Sequence, residues 1–321
     1  MGRTDPLPAL SRTPGMTFDV ATYAATAQAL RWDDLDLDEF RSAPLSPDAL
    51  RCLRYMSDVE THTVCYLRDL LVTPSHTDPE VTTFLTMWNW EEYWHGEVLD
   101  DVLAVHGVPT GPEHTRALRK RLGWQDRISP IVQSVIANVL GADFVATHMT
   151  WGAINEWCTH AGYSRFIEVE DSPMLTEILR RIAKQETRHI SFYNSQARAR
   201  LENNPRAQRI TRFALKHKWG IVGSGVMPAG DVRHLLTYLF GGADGLVQAR
   251  KIDTKIDTLP GLRGLHLVER ELHRYGIIEH PSGLSTAEPS PRPHRRPHSA
   301  AARANGLTKS NRLRRLFTLL R

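Results

Sequence analysis

Apolar side chains recur at three- and four-residue intervals along most of the chain, the period of a helix buried on one face, and no strand-like alternation is sustained. Four long segments carry the pattern. Ser46-Pro47-Asp48 reads as a helix start, with Ser46 as cap and Pro47 in the first turn, and the segment runs over about 46–72. Asp78-Pro79-Glu80 opens a second over 79–106, and Ser172-Pro173 opens a fourth over 173–201. Between them, 131–161 forms a third, with a bend expected at Gly141. Shorter helices are expected over 206–218, 229–240, 242–252 and 261–274. The pattern therefore predicts an all-α fold, with one helical domain over 16–278. Residues 1–15, with Pro6, Pro8, Pro14 and Gly15, read as a flexible arm.

From 279 onward the pattern is broken by proline, and 279–321 reads as a Pro/Arg-rich basic tail. Pro281–Gly306 is expected to be disordered, and Asn311–Arg321 to form a short basic amphipathic helix. Such a tail serves solubility, or touches an acidic partner or a membrane surface.

Charge changes the picture once it is divided by position. The 321 residues carry a net +4, but Pro281–Arg321 alone holds nine Lys/Arg against Glu288. The tail is thus +8 and the preceding 280 residues sum to −4. With 41% hydrophobic and 24% charged residues, the body is that of an ordinary globular protein, not a disordered, collagen-like or disulfide-dense chain. The thiols Cys52, Cys65 and Cys158 form no CxxC pair; Cys52 and Cys65 would lie roughly 20 Å apart on one helix and cannot bridge. Scattered thiols and the absence of an evident signal peptide lead to the expectation of a cytoplasmic protein. No apolar run is long and clean enough to span a bilayer.

The candidate chemistry sits on the apolar stripes. Two Glu-x-x-His tetrads, Glu92 to His95 and Glu186 to His189, lie in line with Leu85, Trp88, Leu99 and Val102, and with Leu179, Ile182 and Tyr193. Residues three apart point the same way, so each Glu and His converge. The preceding long helix of each pair also carries an acid on its stripe: Glu60 beside Leu53, Met56, Val64 and Leu67, and Glu156 beside Met149, Gly152 and Thr159. Four carboxylates on buried faces need compensating positive charge, because desolvating each costs several kcal/mol. A Glu from each of two helices plus Glu-x-x-His from two others builds a di-iron or di-manganese site in a four-helix bundle. Mixed carboxylate and imidazole ligands suit two Fe ions, with Mn the alternative, better than calcium or structural zinc. His62, His148 and His160 fall off the stripes and are expected to be structural or surface residues.

The segments Trp90-Glu91-Glu92-Tyr93-Trp94-His95-Gly96-Glu97-Val98-Leu99, Asn155-Glu156-Trp157-Cys158-Thr159 and Ile182-Ala183-Lys184-Gln185-Glu186-Thr187-Arg188-His189 resemble the ferritin-like carboxylate di-iron enzymes, most closely the soluble acyl-acyl-carrier-protein desaturases. The resemblance spans about 45–201. It implies a ferritin-like four-helix bundle with additional C-terminal helices and a homodimer. Glu60, Glu92, His95, Glu156, Glu186 and His189 would be the metal ligands, with Glu92 and Glu186 bridging, Glu60 and Glu156 terminal, and one His on each iron. It gives Thr159 a catalytic role in proton delivery. It also implies O2-dependent desaturation of a fatty acyl chain on an acyl-carrier protein, with electrons from an external ferredoxin-like donor. No Gly-rich dinucleotide fingerprint provides an internal electron source. Arg116, Arg119, Lys120 and Arg121 are a candidate docking patch for the acidic carrier. Two positions depart from related patterns. Gln185 stands where the family has Asp, and Ile182 stands where arylamine N-oxygenases have an extra His. A hydroxylase or N-oxygenase, an iron-storage or other non-catalytic metal-binding bundle, and a partner-binding protein are the alternatives. Tyr93 and Tyr193 are the tyrosines to inspect for a radical role.

Overall fold

The computed structural model describes residues 18–122 and 125–278, which contain eleven α-helices, two short 3-10 turns and no strand. The arm over 1–15 and the tail over 279–321, with its proposed amphipathic segment, lie outside the described residues.

Four long helices frame the molecule: α2 (Pro47–Leu70), α3 (Pro79–Val105), α6 (Ala142–Val169) and α7 (Pro173–Leu201). Three of them start as the sequence predicts, on a polar residue followed by proline. Ser46 Oγ accepts from the amide of Ala49, the Asp78 carboxylate from Glu80 and Val81, and Ser172 Oγ from Leu175. Each cap satisfies an amide that the helix itself leaves unpaired, and proline loses nothing in the first turn. Asn204 and Pro205 repeat the device at α8 (Pro205–Lys218).

The expected third helix is in fact two, α5 (Gln125–Leu140) and α6. Gly141 between them has φ 64°, a left-handed value that interrupts the hydrogen-bond ladder and that glycine adopts without strain. α6 then continues through Gly162 to Val169, beyond the expected end at 161. The helix expected over 242–252 runs on to Asp257, and the one over 261–274 begins only at Leu267. α1 (Val20–Thr26) and α4 (Gly111–Leu122) complete the N-terminal half, and α9 (Ala229–Phe240), α10 (Gly242–Asp257) and α11 (Leu267–Arg274) pack behind α2 and α6.

α2 runs against α3, and α6 against α7, with α3 and α7 joining the two pairs. Each pair has a glycine at its closest approach. A Cβ on Gly96 of α3 would lie 2.9 Å from Thr61 Oγ1 of α2, and one on Gly152 of α6 would lie 2.3 Å from the Tyr193 ring of α7. The aromatic ring is buried and cannot swing clear, so Gly152 is fixed by sterics. Gly152→Ala is expected to destabilise the protein by about 1–3 kcal/mol, read as a lowered midpoint in chemical denaturation. An unchanged midpoint would mean that α6 and α7 do not meet as closely as described.

Candidate metal centre

The four helices bring all six stripe residues to one buried point. Glu60, Glu92, His95, Glu156, Glu186 and His189 are each no more than 5% exposed. They fall into two sets: Glu60, Glu92, His95 and Glu186, and Glu92, Glu156, Glu186 and His189. Within each set the candidate ligand atoms lie within 4.8 Å of one another, and Glu92 and Glu186 belong to both.

The shared carboxylates divide their oxygens between the two sets. Glu92 points Oε2 at His95 Nδ1 (3.4 Å) and Oε1 at His189 Nδ1 (3.2 Å). Glu186 points Oε1 at His95 Nδ1 (3.3 Å) and Oε2 at His189 Nδ1 (3.2 Å). Glu156 Oε2 stands 3.9 Å from His189 Nδ1. This is the layout of two carboxylates able to bridge two cations. A direct sign of fit comes from the polar atoms: His95 Nδ1 and Glu186 Oε1 are buried without a hydrogen-bond partner. Orphaned buried donors and acceptors are costly, and a cation between them would satisfy both. The donor set of carboxylate and imidazole, with no thiolate among the six, fits iron or manganese.

An outer ring of side chains aims these groups. The two imidazoles turn Nδ1 inward and Nε2 outward, and each outward nitrogen meets the residue that precedes the opposite helix's Glu. His189 Nε2 lies 2.9 Å from Glu91 Oε2, and His95 Nε2 lies 2.8 Å from Gln185 Oε1. Gln185 in turn donates to the Gln28 carbonyl at 3.0 Å. The outer glutamates are held by aromatic donors: Tyr163 donates to Glu60 Oε1 at 2.5 Å, and Trp88 Nε1 to Glu156 Oε1 at 3.0 Å. Glu91 is fully buried yet charged, receiving the Tyr23 hydroxyl (2.8 Å), the Gln28 amide (3.3 Å) and the Arg188 guanidinium. Burial opposes its ionisation, but His189, Tyr23 and Arg188 hold its carboxyl below the usual range.

Without metal, protons occupy the centre. Burial, then the charge of Glu92 and a hydrogen bond to it, hold the Glu60 carboxyl well above its usual range. Burial, then the charges of Glu186 and Glu92, do the same at Glu156. At Glu92 burial is outweighed by the neighbouring Glu60, His189 and His95, which hold its carboxyl well below the usual range. At Glu186 burial and the Glu92 charge are outweighed by His189 and His95, which bring it to about 2. Burial also disfavours charge on His95, but Glu186 and Glu92 raise it to about 9; His189 is likewise raised, by Tyr23 and the carboxylates. Burial and like charge thus favour the neutral acid at Glu60 and Glu156, while the shared carboxylates and the two imidazoles favour each other's charged forms.

Two cavities meet this cluster. A chamber of about 300 Å³ is lined by Glu60, Glu92 and Glu156 with Trp88, Thr159 and Tyr193, and its outer wall includes His62, Thr63, Asp69 and Asn155. A smaller pocket of about 50 Å³ is almost wholly apolar, between Met56, Cys158, Tyr163, Leu236 and Phe240, and shares Glu60 and Thr159 with the chamber. Thr159 thus stands where both spaces meet.

Among the other residues singled out in the sequence, Val64 is not part of a buried stripe: it is 44% exposed, although Leu70 further along α2 is buried. His148 is buried and its Nδ1 meets Ser75 Oγ at 2.7 Å, a structural contact remote from the six residues. Tyr93 is exposed, whereas Tyr193 walls the chamber with its hydroxyl buried and unpartnered. Arg116, Arg119, Lys120 and Arg121 are exposed on α4. Ile182 is buried in the core. Cys52 and Cys158 are buried and, with Cys65, unbridged. Among the described residues no helix is long and apolar enough to cross a membrane.

Glu91, Tyr163 and Trp88 are partners that the stripe analysis does not assign. Their only sequence signal is an acid or aromatic one, four or seven residues from a candidate ligand. Glu91→Gln is expected to weaken metal binding on the His189 side by about 10- to 100-fold, the usual cost of losing a carboxylate behind a metal-bound imidazole. An equilibrium titration with Mn2+ or Fe2+ reads the loss; an unchanged isotherm would remove Glu91 from the support of that histidine.

No family model, curated protein or solved structure matches the chain.

Proposed function

We propose that this chain is a ferritin-like dinuclear metalloenzyme, an O2-dependent di-iron oxidase acting on an unactivated C–H bond. One observation carries the reading: Glu92 and Glu186 each direct one oxygen to the His95 side and the other to the His189 side. A purely structural site has no need of two such matched subsites opening on a cavity.

Two redox-active ions held there would supply reductive activation of O2 and oxidation of the substrate. The chain's own residues do the rest. Glu92 and Glu186 would hold both ions, and Glu60 and Glu156 would each complete one set. Gln185 and Glu91 fix the imidazole orientations, and Tyr163 and Trp88 fix the outer carboxylates. Thr159 lines both cavities, and its hydroxyl would pass a proton toward the centre. The apolar walls around Met56, Leu236 and Phe240 exclude water and accept an aliphatic group.

The apolar lining of that pocket favours an aliphatic group, and the substrate class we assign is a fatty acyl chain on an acyl-carrier protein, with the exposed α4 cations as the carrier's landing site and a ferredoxin-like protein as electron donor. The polar outer wall of the larger chamber, with Asn155, Thr63 and His62, favours a second reading, a hydroxylase or N-oxygenase of a compact polar molecule.

The test is anaerobic loading with Fe2+, metal analysis and exposure of the reduced protein to O2. About two irons per chain and rapid oxidation on adding O2 are expected. Failure to retain iron would overturn the oxidase reading. Product analysis with acyl-carrier thioesters against small amines and arenes then separates the two substrate classes.

A further inference from the structure

The smaller of the two cavities is defined by its size and its walls. At about 50 Å³ it has roughly a third of the volume of an apolar cavity that takes up benzene, room for on the order of three water-sized atoms. α2, α6, α9, α10 and α11 all contribute to the lining. Leu235, Leu236, Phe240, Ile252 and Val268, which the chamber does not share, are each no more than 7% exposed. The polar groups of the wall are already engaged. The Tyr55 hydroxyl donates to the Val222 carbonyl and the Tyr163 hydroxyl to Glu60 Oε1, both at 2.5 Å. Burial pushes the Cys158 thiol up, so it stays uncharged and a weak hydrogen-bonding group. A water held in a cavity needs about two to four polar partners, and away from Glu60 and Thr159 this lining has no such set.

Gly162 is an independent sign. It lies inside α6, where glycine weakens a helix relative to alanine. Close packing is not what requires it: a Cβ there would meet only Met56 Cε, at 3.4 Å, an ordinary contact with the tip of a flexible side chain. At Gly152, by contrast, the Tyr193 ring leaves no room for a Cβ. What the glycine at 162 does is keep open the space it lines.

We propose that this pocket is a docking site for a small apolar gas, and that the gas is dioxygen. A diatomic apolar molecule leaves water for such a space and asks for no hydrogen bond. Naming dioxygen rests on the oxidase reading; the fit of a small apolar molecule does not. Position supports the assignment. Of the six candidate ligands the pocket touches Glu60 alone, whereas the chamber touches Glu60, Glu92 and Glu156. Glu60 belongs to the His95 set, so the gas is held on the His95 side and the chamber is left to the polar part of a substrate. An aliphatic group entering from the chamber passes the shared Glu60 and Thr159, and only its last atoms fit beyond them.

The experiment is methyl NMR on the metal-free full chain, labelled with carbon-13 at the methionine methyls, under pressurised O2 and then under the same pressure of N2. Dioxygen is paramagnetic and speeds the relaxation of any methyl it dwells beside. Met56 lines the pocket; Met149 is fully buried, Met174 is partly buried, and neither lines either cavity. The expected result is a relaxation enhancement at Met56 larger than at both, so that neither burial nor solvent access accounts for it. Leu236→Phe, which fills the pocket, is expected to lower the Met56 enhancement to the Met149 level. Gly162→Ala adds one methyl to the same space and favours the helix, so it is expected to lower the enhancement too, and it covers the event that the larger ring prevents folding. Enhancement at Met56 no greater than at Met149 overturns the proposal, and so does an enhancement that both substitutions leave unchanged. No iron takes part in the measurement. Failure to retain iron therefore sinks the oxidase reading alone, and a missing enhancement at Met56 sinks the gas site whatever the iron content.

Discussion

Glu92→Ala or Glu186→Ala should leave the protein with almost no bound metal, whereas Glu60→Ala or Glu156→Ala should leave about one ion per chain. The difference follows from membership of the two ligand sets. Glu92 and Glu186 belong to both, while Glu60 and Glu156 belong to one each. Removing a shared carboxylate takes a ligand from both ions and the negative charge that holds them together, so two sites fail at once. Removing Glu60 strips only the His95 side, and its Tyr163 partner loses an acceptor. Removing Glu156 strips only the His189 side and frees Trp88 Nε1. Anaerobic Fe2+ loading, desalting and elemental analysis give the count, and circular dichroism checks that each variant is folded. Equal metal loss in all four variants would show that the pairing of ligands into two sets is wrong. Full retention in Glu92→Ala and Glu186→Ala would end the dinuclear reading.

The six candidate ligands and the starts of three of their four helices are legible in the sequence because both rest on local rules. A cap residue followed by proline acts within one turn, and Glu-x-x-His converges by helix geometry alone. What orients those ligands is not legible, because it comes from across the fold. Trp88 and Glu156 are 68 residues apart in the chain, Tyr163 and Glu60 103 apart, and His189 and Glu91 98 apart. No spacing rule joins such pairs; only the packing of α2, α3, α6 and α7 does. The break at Gly141, where the sequence leads one to expect a bend, is a different case. Apolar periodicity continues across it, since α5 is as regularly apolar as α6, and a stripe does not state whether it faces the core or outward. For α5 it faces outward. Val64 likewise keeps the period of its stripe and yet is exposed.

Metal loading should release about four protons per chain near neutral pH, and the affinity for each ion should rise roughly a hundredfold per pH unit. The metal-free centre holds protons on Glu60, Glu156, His95 and His189, all with raised values. Two divalent ions bring four positive charges and displace those four protons, two for each ion. Each proton contributes about 1.4 kcal/mol per pH unit. The same groups set the stability of the metal-free protein. Glu60 and Glu156 bind protons more tightly folded than unfolded, so their contribution falls as pH rises above the ordinary Glu range. His95, raised from 6.5 to about 9, contributes fully below 6.5 and loses that contribution as pH passes 9. Glu92 and Glu186 are depressed, so theirs is present above the ordinary Glu range and lost as pH falls toward the folded value, about 2 for Glu186. The metal-free form should therefore be most stable near the ordinary Glu range and weaken steadily as pH rises beyond it. The loaded form should show the reverse over pH 5 to 8, because rising pH removes the protons that compete with its metals. Calorimetric titration in buffers of different ionisation enthalpy counts the protons, and thermal melts of both forms across pH 5 to 9 read the crossing. Loading that releases no protons would mean that the buried cluster is not where the metal binds.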